Sequence, residues 1–451
     1  MNIKDLKKRA VQGDTSAQSR LGYVYEVGEG VRKNIRTAVE WYKKAAKAGD
    51  PGAQLNLGRC YRDGIGLLRN VPAAAKLFRA AADQGLPEAQ ICFAYALSEG
   101  EGIEQDPKRA FSLYKKAARA GNVEALYYVA HAYHAGSCGE QNLGAAVKWY
   151  RRAAESGDVE AQVELAGLLE EGWGVRKNMK EAACWYRKAV DAENADAQGS
   201  LGYMYEKGVG VRKDEQKAIR SYRLAAKAGD TYAQSSLGYM YDEGVGVRKD
   251  KGKAIHWYDK AGQEGDTFSL WNIALIYGLG EGVPADMTKA VEYWQLGAEL
   301  GDHQAQYELA ISLRNGDGVT QDKRQSVKWL KRAAKQDYLR AQTTLGYAYD
   351  AGVGVRKNSR LALYWYKKAA QAGDVQAQFN LGISYRIGDP FEQNMRKAVR
   401  WLKMAANGEH TRAQFWLGCA YDDGEGVKCD RKMALRWFLE AAECGYRDAE
   451  V

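Results

Sequence analysis

Five histidines and seven cysteines are the residues of this chain best suited to ligating a metal or acting as nucleophiles. His131 and His134 stand one helical turn apart with Cys138 close behind, a grouping that could offer three ligands to zinc. A closed zinc site needs a fourth ligand, and no HExxH motif occurs, so the spacing predicts ordinary helical residues and no metal. The other histidines, His256, His303 and His410, stand alone, and no Ser-His-Asp or Cys-His arrangement can be placed. The recurring Gly-x-Gly sequences have no strand before them and none continues as GKS or GKT, which excludes a phosphate-cradling loop. Asp-Glu-Gly-Val-Gly at 242–246 lacks the alternating oxygens and final glutamate of a calcium loop. Catalysis and cofactors are therefore not expected.

The remaining chemistry is aromatic and charged, and it recurs in columns spaced by 36 residues. Tyr23, Tyr95, Tyr203, Tyr239 and Tyr347 form one column, and Tyr127, Trp271, Tyr307, Phe379 and Phe415 form another four residues earlier. Three residues after the tyrosines come Glu26, Glu170, Glu206, Asp242, Asp350 and Asp422. An aromatic stripe edged by carboxylates suits a peptide or loop carrying basic side chains, since tyrosine offers contact area at modest entropic cost. The same tyrosines could instead bridge neighbouring helices. Basic pairs recur in the turns, and Arg176-Lys177, Arg212-Lys213 and Arg248-Lys249 make three in succession, a ridge suited to an acidic partner or, less readily, to lipid or nucleic acid. Trp173, between Gly172 and Gly174, is the one aromatic at its loop position and a candidate exposed anchor.

These columns exist because the chain repeats itself twelve times without an insertion, from Ala17 through Ala53 to Ala413. Within a unit Ala17, Leu21 and Tyr25 mark one helix, Gly28 ends it, Asn34 caps a second, and Ala38, Trp41, Tyr42, Ala45 and Ala46 form its inner face before Gly49. The expected unit is a pair of unequal helices. The Gly28 column is glycine throughout, the Asn34 column Asn or Asp, and the Gly22 column Gly or Ala, which lets helices approach closely. The tryptophans of the Trp41 column are expected to fill the space between layers. Residues 1–14 match a second helix and are expected to cap the stack, 15–448 to form one continuous body, and 449–451 to begin a further unit. The stop glycine becomes Glu193 and Asp337 in two units, where a change of rotation is expected.

The net charge of +9 is spread over 451 residues, a weak argument for nucleic acid. Cysteine positions differ from unit to unit, so no repeated bridge is expected, and an odd number leaves one unpaired. No stretch is apolar enough to span a bilayer and Met1–Asp14 carries no apolar leader core. On that sequence a cytoplasmic place is expected, or a secreted or periplasmic one if a leader precedes it.

The run Ala233, Leu237, Gly238, Tyr241, Gly244, Gly246, Val247, Asp250, Ala254, Trp257, Tyr258, Ala261, Gly265 and Asp266 resembles the Sel1-like repeat family, with Gly262 replacing a usual alanine. The resemblance covers residues 15–448. It implies an all-α fold, a right-handed superhelical solenoid of tetratricopeptide-like hairpins, with the tyrosine stripe on its concave face. It implies a protein-binding scaffold with no cofactor. Family members include bacterial adaptors and exported factors, one of which binds secretory immunoglobulin A, so that host protein is an expected partner. Self-association through the C-terminal end and an envelope-organising role are the alternatives.

Overall fold

The computed structural model describes residues 3–137, 139–389 and 392–445; the expectations for Cys138 and 449–451 lie outside them. The described residues hold 25 helices and no strand. They fall into two compact units, Met1–Ala228 and Gly229–Val451. Each is a run of helical hairpins in which every helix packs on the next in sequence, the arrangement of an all-α solenoid. The first helix, Ile3–Val11, is placed like a second helix, burying Leu6 and Ala10 against Ala17, Leu21 and Val24.

The two helices of a hairpin are equal, against the expectation. Thr15–Val27 and Ile35–Lys47 both have 13 residues, as do all the helices after them. Chemically defined ends fix that length. Asn34 accepts from the Thr37 amide at 3.1 Å, and every later second helix is capped by the matching Asn or Asp. The residue before each first helix is mostly an aspartate that caps it, as Asp14 does for Ala17 at 3.0 Å; Asn122, Asn194 and His410 cap in the same way, and Leu86 and Tyr338 do not. Such a cap contributes about 1 kcal/mol. Gly28 ends the first helix at φ +87°, a left-handed backbone that other residues adopt at a cost.

Where the second-helix stop lacks glycine, the backbone keeps its shape. Glu193 and Asp337 hold φ of 63°, and Glu409, a third such position, holds 62°. Asp337 gains an ion pair with Lys368 at 2.6 Å, linking two repeats across this turn.

Inside a hairpin the tyrosine after the tryptophan column is the deeper residue. Tyr42, Tyr150, Tyr222, Tyr258 and Tyr366 are among the largest fully buried side chains, whereas Trp41, Trp149, Trp257, Trp365 and Trp401 are only partly buried. Trp185, Trp329 and Trp437 of the same column are buried in their cores, and most tryptophans of the column carry the cation three residues on, as with Lys188 at 3.9 Å from the Trp185 ring. The tyrosine ring lies against the small first-helix residue. A Cβ added at Gly202 would stand 2.7 Å from the Tyr222 ring, and at Gly238 2.4 Å from that of Tyr258.

Stacking between repeats has its own signature. A Cβ at Gly318 would sit 2.4 Å from the Met287 carbonyl oxygen of the preceding repeat, and at Gly354 2.0 Å from that of Lys323. Buried glutamines then tie neighbours together: Gln18 donates to the Ala10 carbonyl at 2.9 Å, and Gln342 to that of Ala334 at 3.1 Å.

Two expectations follow. Gly202→Val would force a branched side chain into the Tyr222 ring and lower stability by about 1–3 kcal/mol, the usual cost of overfilling a packed site; an unchanged urea midpoint would refute that contact. The second concerns His410, whose Nδ1 accepts from the Ala413 amide at 3.2 Å while its other nitrogen meets Gln376 Oε1 at 3.1 Å. Burial holds its pKa below the ordinary 6.5. Above that value the ring is neutral folded or unfolded; below it the unfolded chain takes the proton first, so stability falls from there down to the depressed folded pKa. His410→Asn preserves a cap of the kind Asn122 and Asn194 provide. Its melting temperature should drop less between neutral and mildly acid pH than that of the parent, and equal drops would remove the histidine from the account.

Candidate binding surface

The two aromatic columns of the first helices part company in the structure. In the first unit Tyr23 and Tyr95, and in the second Tyr239 and Tyr347, are between 40% and 49% exposed. Tyr203 is half-buried. Two members of the column four residues earlier face inward and reach the start of the next first helix. Phe379 is 5% exposed and stacks on His410 at 4.4 Å, and Tyr307 meets Tyr338 edge-on at 5.4 Å. Tyr127, Trp271 and Phe415 are partly buried, and the first two pack against the cores of their units. Phe379 therefore serves packing, not presentation. The bridging role considered for the tyrosines belongs to their neighbours.

The carboxylates beside the tyrosines are divided between two tasks. Glu170 accepts from the Tyr186 hydroxyl at 3.1 Å, Glu206 from that of Tyr222 at 2.8 Å, and Glu26 from that of Tyr42. Burial, reinforced by the adjacent carboxylate, pushes the Tyr42 and Tyr186 hydroxyls above the ordinary phenol range. Asp242 departs from this: it is buried and paired with Lys251, which also reaches Glu281 at 2.7 Å. Tyr258, the matching tyrosine, has a buried hydroxyl without a hydrogen-bond partner among the described residues. Asp350 and Asp422 stay exposed or half-exposed at the surface.

Trp173 is 55% exposed in its loop, as expected of an anchor. In the first unit Arg176, Lys177, Arg212 and Lys213 are exposed, with Lys213 paired to Glu215 at 2.9 Å; in the second, Arg248 and Lys249 are exposed. His131 stacks on Tyr127 with ring centres 6.1 Å apart, and His134 Nδ1 lies 3.7 Å from Glu164. The described residues contain no cluster of metal-binding side chains.

The Sel1 repeat model matches twelve consecutive stretches, from residues 15–50 to 411–446. This chain belongs to the Sel1 repeat family. Its structure resembles that of c5321, a protective antigen of uropathogenic Escherichia coli with a Sel1-like repeat fold, at TM-score 0.78 and 29% identity over 99% of this chain and 97% of that one. It also resembles a Sel1 repeat protein from Oxalobacter formigenes, at TM-score 0.55 and 30% identity over 67% of this chain and 87% of that one. No curated protein matches in sequence.

Against a Sel1 background, the residues that break a column stand out, and these were not singled out in the sequence. Phe111 stands where Val39 and Val147 stand in other repeats, and Tyr128 where Ser200 and Ser236 stand. Together with Tyr95, Tyr114 and Tyr127 they line a cavity of about 270 Å³ in the first unit. In the second unit Arg386 lies 3.9 Å from the ring centre of Trp416, another column-breaking residue, at the edge of a wider cleft. The signal was present as departures from the repeat, but only the packing shows which departures meet.

The tyrosine–carboxylate pairing makes a differential expectation. Tyr222→Phe should cost about 1 kcal/mol through its lost hydrogen bond to Glu206, whereas Tyr258→Phe should be neutral or stabilising. Denaturant titration of both variants checks it, and equal losses would contradict the pairing.

Proposed function

We propose that this chain works by binding and not by catalysis, as a scaffold whose protein partner lies along the exposed tyrosines of the first helices. The observation that carries this reading is that Tyr23, Tyr95, Tyr239 and Tyr347 stay open to solvent in a repeat whose other recurring aromatics are largely spent on packing. Membership of a repeat family built as interaction scaffolds supports it. Tyrosine is favoured at interfaces because a large rigid ring costs little entropy to hold, and Asp350, exposed beside Tyr347, suits a basic group on the partner. Trp173 adds a second point of attachment, and the exposed arginine-lysine pairs add steering towards acidic regions of a partner. Nucleic acid is the less favoured target, because these pairs lack an accompanying row of exposed aromatic rings in their turns.

The family resemblance points to secretory immunoglobulin A as the first partner to try. A second reading, self-association near the end of the chain, is favoured by Leu435 and Leu439, one helical turn apart and 60% and 55% exposed. No helix among the described residues is long and apolar enough to cross a membrane.

Biosensor binding of secretory immunoglobulin A, and a pull-down from host serum, should give a partner whose affinity falls at least tenfold in Tyr203→Ala/Tyr239→Ala, as expected of aromatic interface anchors worth roughly 2 kcal/mol. Unchanged binding would move the interface to the loops. Light scattering at rising concentration reads the second model: a mass that stays monomeric in both the parent and Leu435→Ser/Leu439→Lys ends it.

A further inference from the structure

Phe111, Tyr114, Tyr127 and Tyr128 enclose the first-unit cavity with aromatic surface. Tyr114 stacks on Tyr128 at 4.7 Å and 15°, and Tyr127 meets Tyr128 at 5.7 Å and 74°. The stacked Tyr114 and Tyr128 rings cover one face of each other, and His131 stacks on Tyr127, so the lining offers the remaining faces and edges of the cluster. At about 270 Å³ the space lies below the usual range for drug-sized ligands, and matches a single extended side chain better.

The electrostatics select the kind of side chain. Glu99 lines the cavity, and among the described residues none of the lining side chains is Lys or Arg. Burial first, then the charges of Glu164, Glu160 and Asp158, push the Tyr127 hydroxyl up to about 12, so the surrounding field is negative in a chain whose net charge is positive. The cluster already holds one ammonium on its outer edge, since Lys115 Nζ lies 4.8 Å from the Phe111 ring centre and 5.8 Å from that of Tyr133. Neither Lys115 nor Tyr133 lines the cavity, so that ammonium does not fill it.

We propose that the cavity between the third and fourth repeats is a recognition pocket for a lysine side chain of the bound partner, its ammonium seated against the Tyr114, Tyr127 and Tyr128 rings and facing Glu99. This rests on the protein-binding reading above and names the chemistry that one part of the surface selects. A desolvated ammonium over aromatic faces is stabilised by the ring quadrupole, most strongly where a carboxylate stands nearby. The alternative occupant is a neutral apolar side chain, which the rings would hold equally well without the charge.

The test uses the whole chain and two small probes, N-acetyl-lysine methylamide and its norleucine counterpart, which has no ammonium. Saturation-transfer NMR should show transfer to the lysine side chain, weakening at high salt, with at least tenfold weaker binding of norleucine. Phe111→Val/Tyr128→Ser installs residues that the chain already uses at those repeat positions. It should lose the lysine signal while keeping the parent's helical dichroism. Glu99→Gln, at an exposed residue, should weaken lysine several-fold and leave norleucine alone. Equal binding of both probes, no binding of either, or lysine transfer that survives Phe111→Val/Tyr128→Ser overturns the proposal. The pocket and the broader reading fail separately: partner binding that depends on Tyr203 and Tyr239 without lysine preference sinks only the pocket. Lysine preference with tyrosine-independent partner binding sinks only the tyrosine surface.

Discussion

The absence of a side chain at a few backbone positions governs everything else in this molecule. Where Gly318 and Gly354 meet the opening turns of the preceding second helices, a single added carbon would lie 2.4 Å and 2.0 Å from a carbonyl oxygen, well inside van der Waals contact. That approach seats one hairpin on another. Within a hairpin the helix ends are fixed by local caps and the Tyr222 class of rings closes over small first-helix residues; between hairpins, six glutamines of the Gln18 column find the carbonyl opposite. Loss of the approach would part these glutamine ties, because they cross from one hairpin to the next.

Much of this was legible as sequence. The capping role of Asn34, the stop at Gly28 and the close-packing role of the Gly22 column follow from residue type and recurrence, and the structure keeps each. The tryptophans were legible as packing residues, with Trp185, Trp329 and Trp437 buried, but recurrence and size do not say which of two adjacent aromatics points further inward; Tyr42 is the deeper residue and Trp41 the half-covered one. Equal helix length was missed for a related reason. The aspartate that closes most repeats, such as Asp50, reads as part of a turn until it is seen capping the next helix.

The surface was less legible, and the reason is physical. Packing acts in every repeat and writes itself as columns, whereas a binding residue need serve only once. Phe379 shares a column with Tyr127 and Tyr307 yet is sealed by His410, since its place between two first helices, not its type, decides its exposure. The Phe111–Tyr128 cavity arises where one-off residues from two repeats face each other, a coincidence in space that no period reports. The acidic column was read as free charge, and part of it is held by tyrosine hydroxyls.

The glutamine ties have one more consequence. Gln18, Gln54, Gln162, Gln306, Gln342 and Gln378 each fasten a first helix to the carbonyl edge of the helix before it. At the matching sites Leu126 and Leu270 carry no such polar link, and Gly262 makes room for the bulkier Leu270 where a Cβ would stand 2.6 Å away. Those two junctions keep other polar links, Lys115 Nζ to the Tyr133 hydroxyl at 3.4 Å and Ser269 Oγ to Ser235 Oγ at 3.0 Å. The seam between repeats is therefore stitched redundantly, and a single stitch can be dropped in one repeat without parting its neighbours.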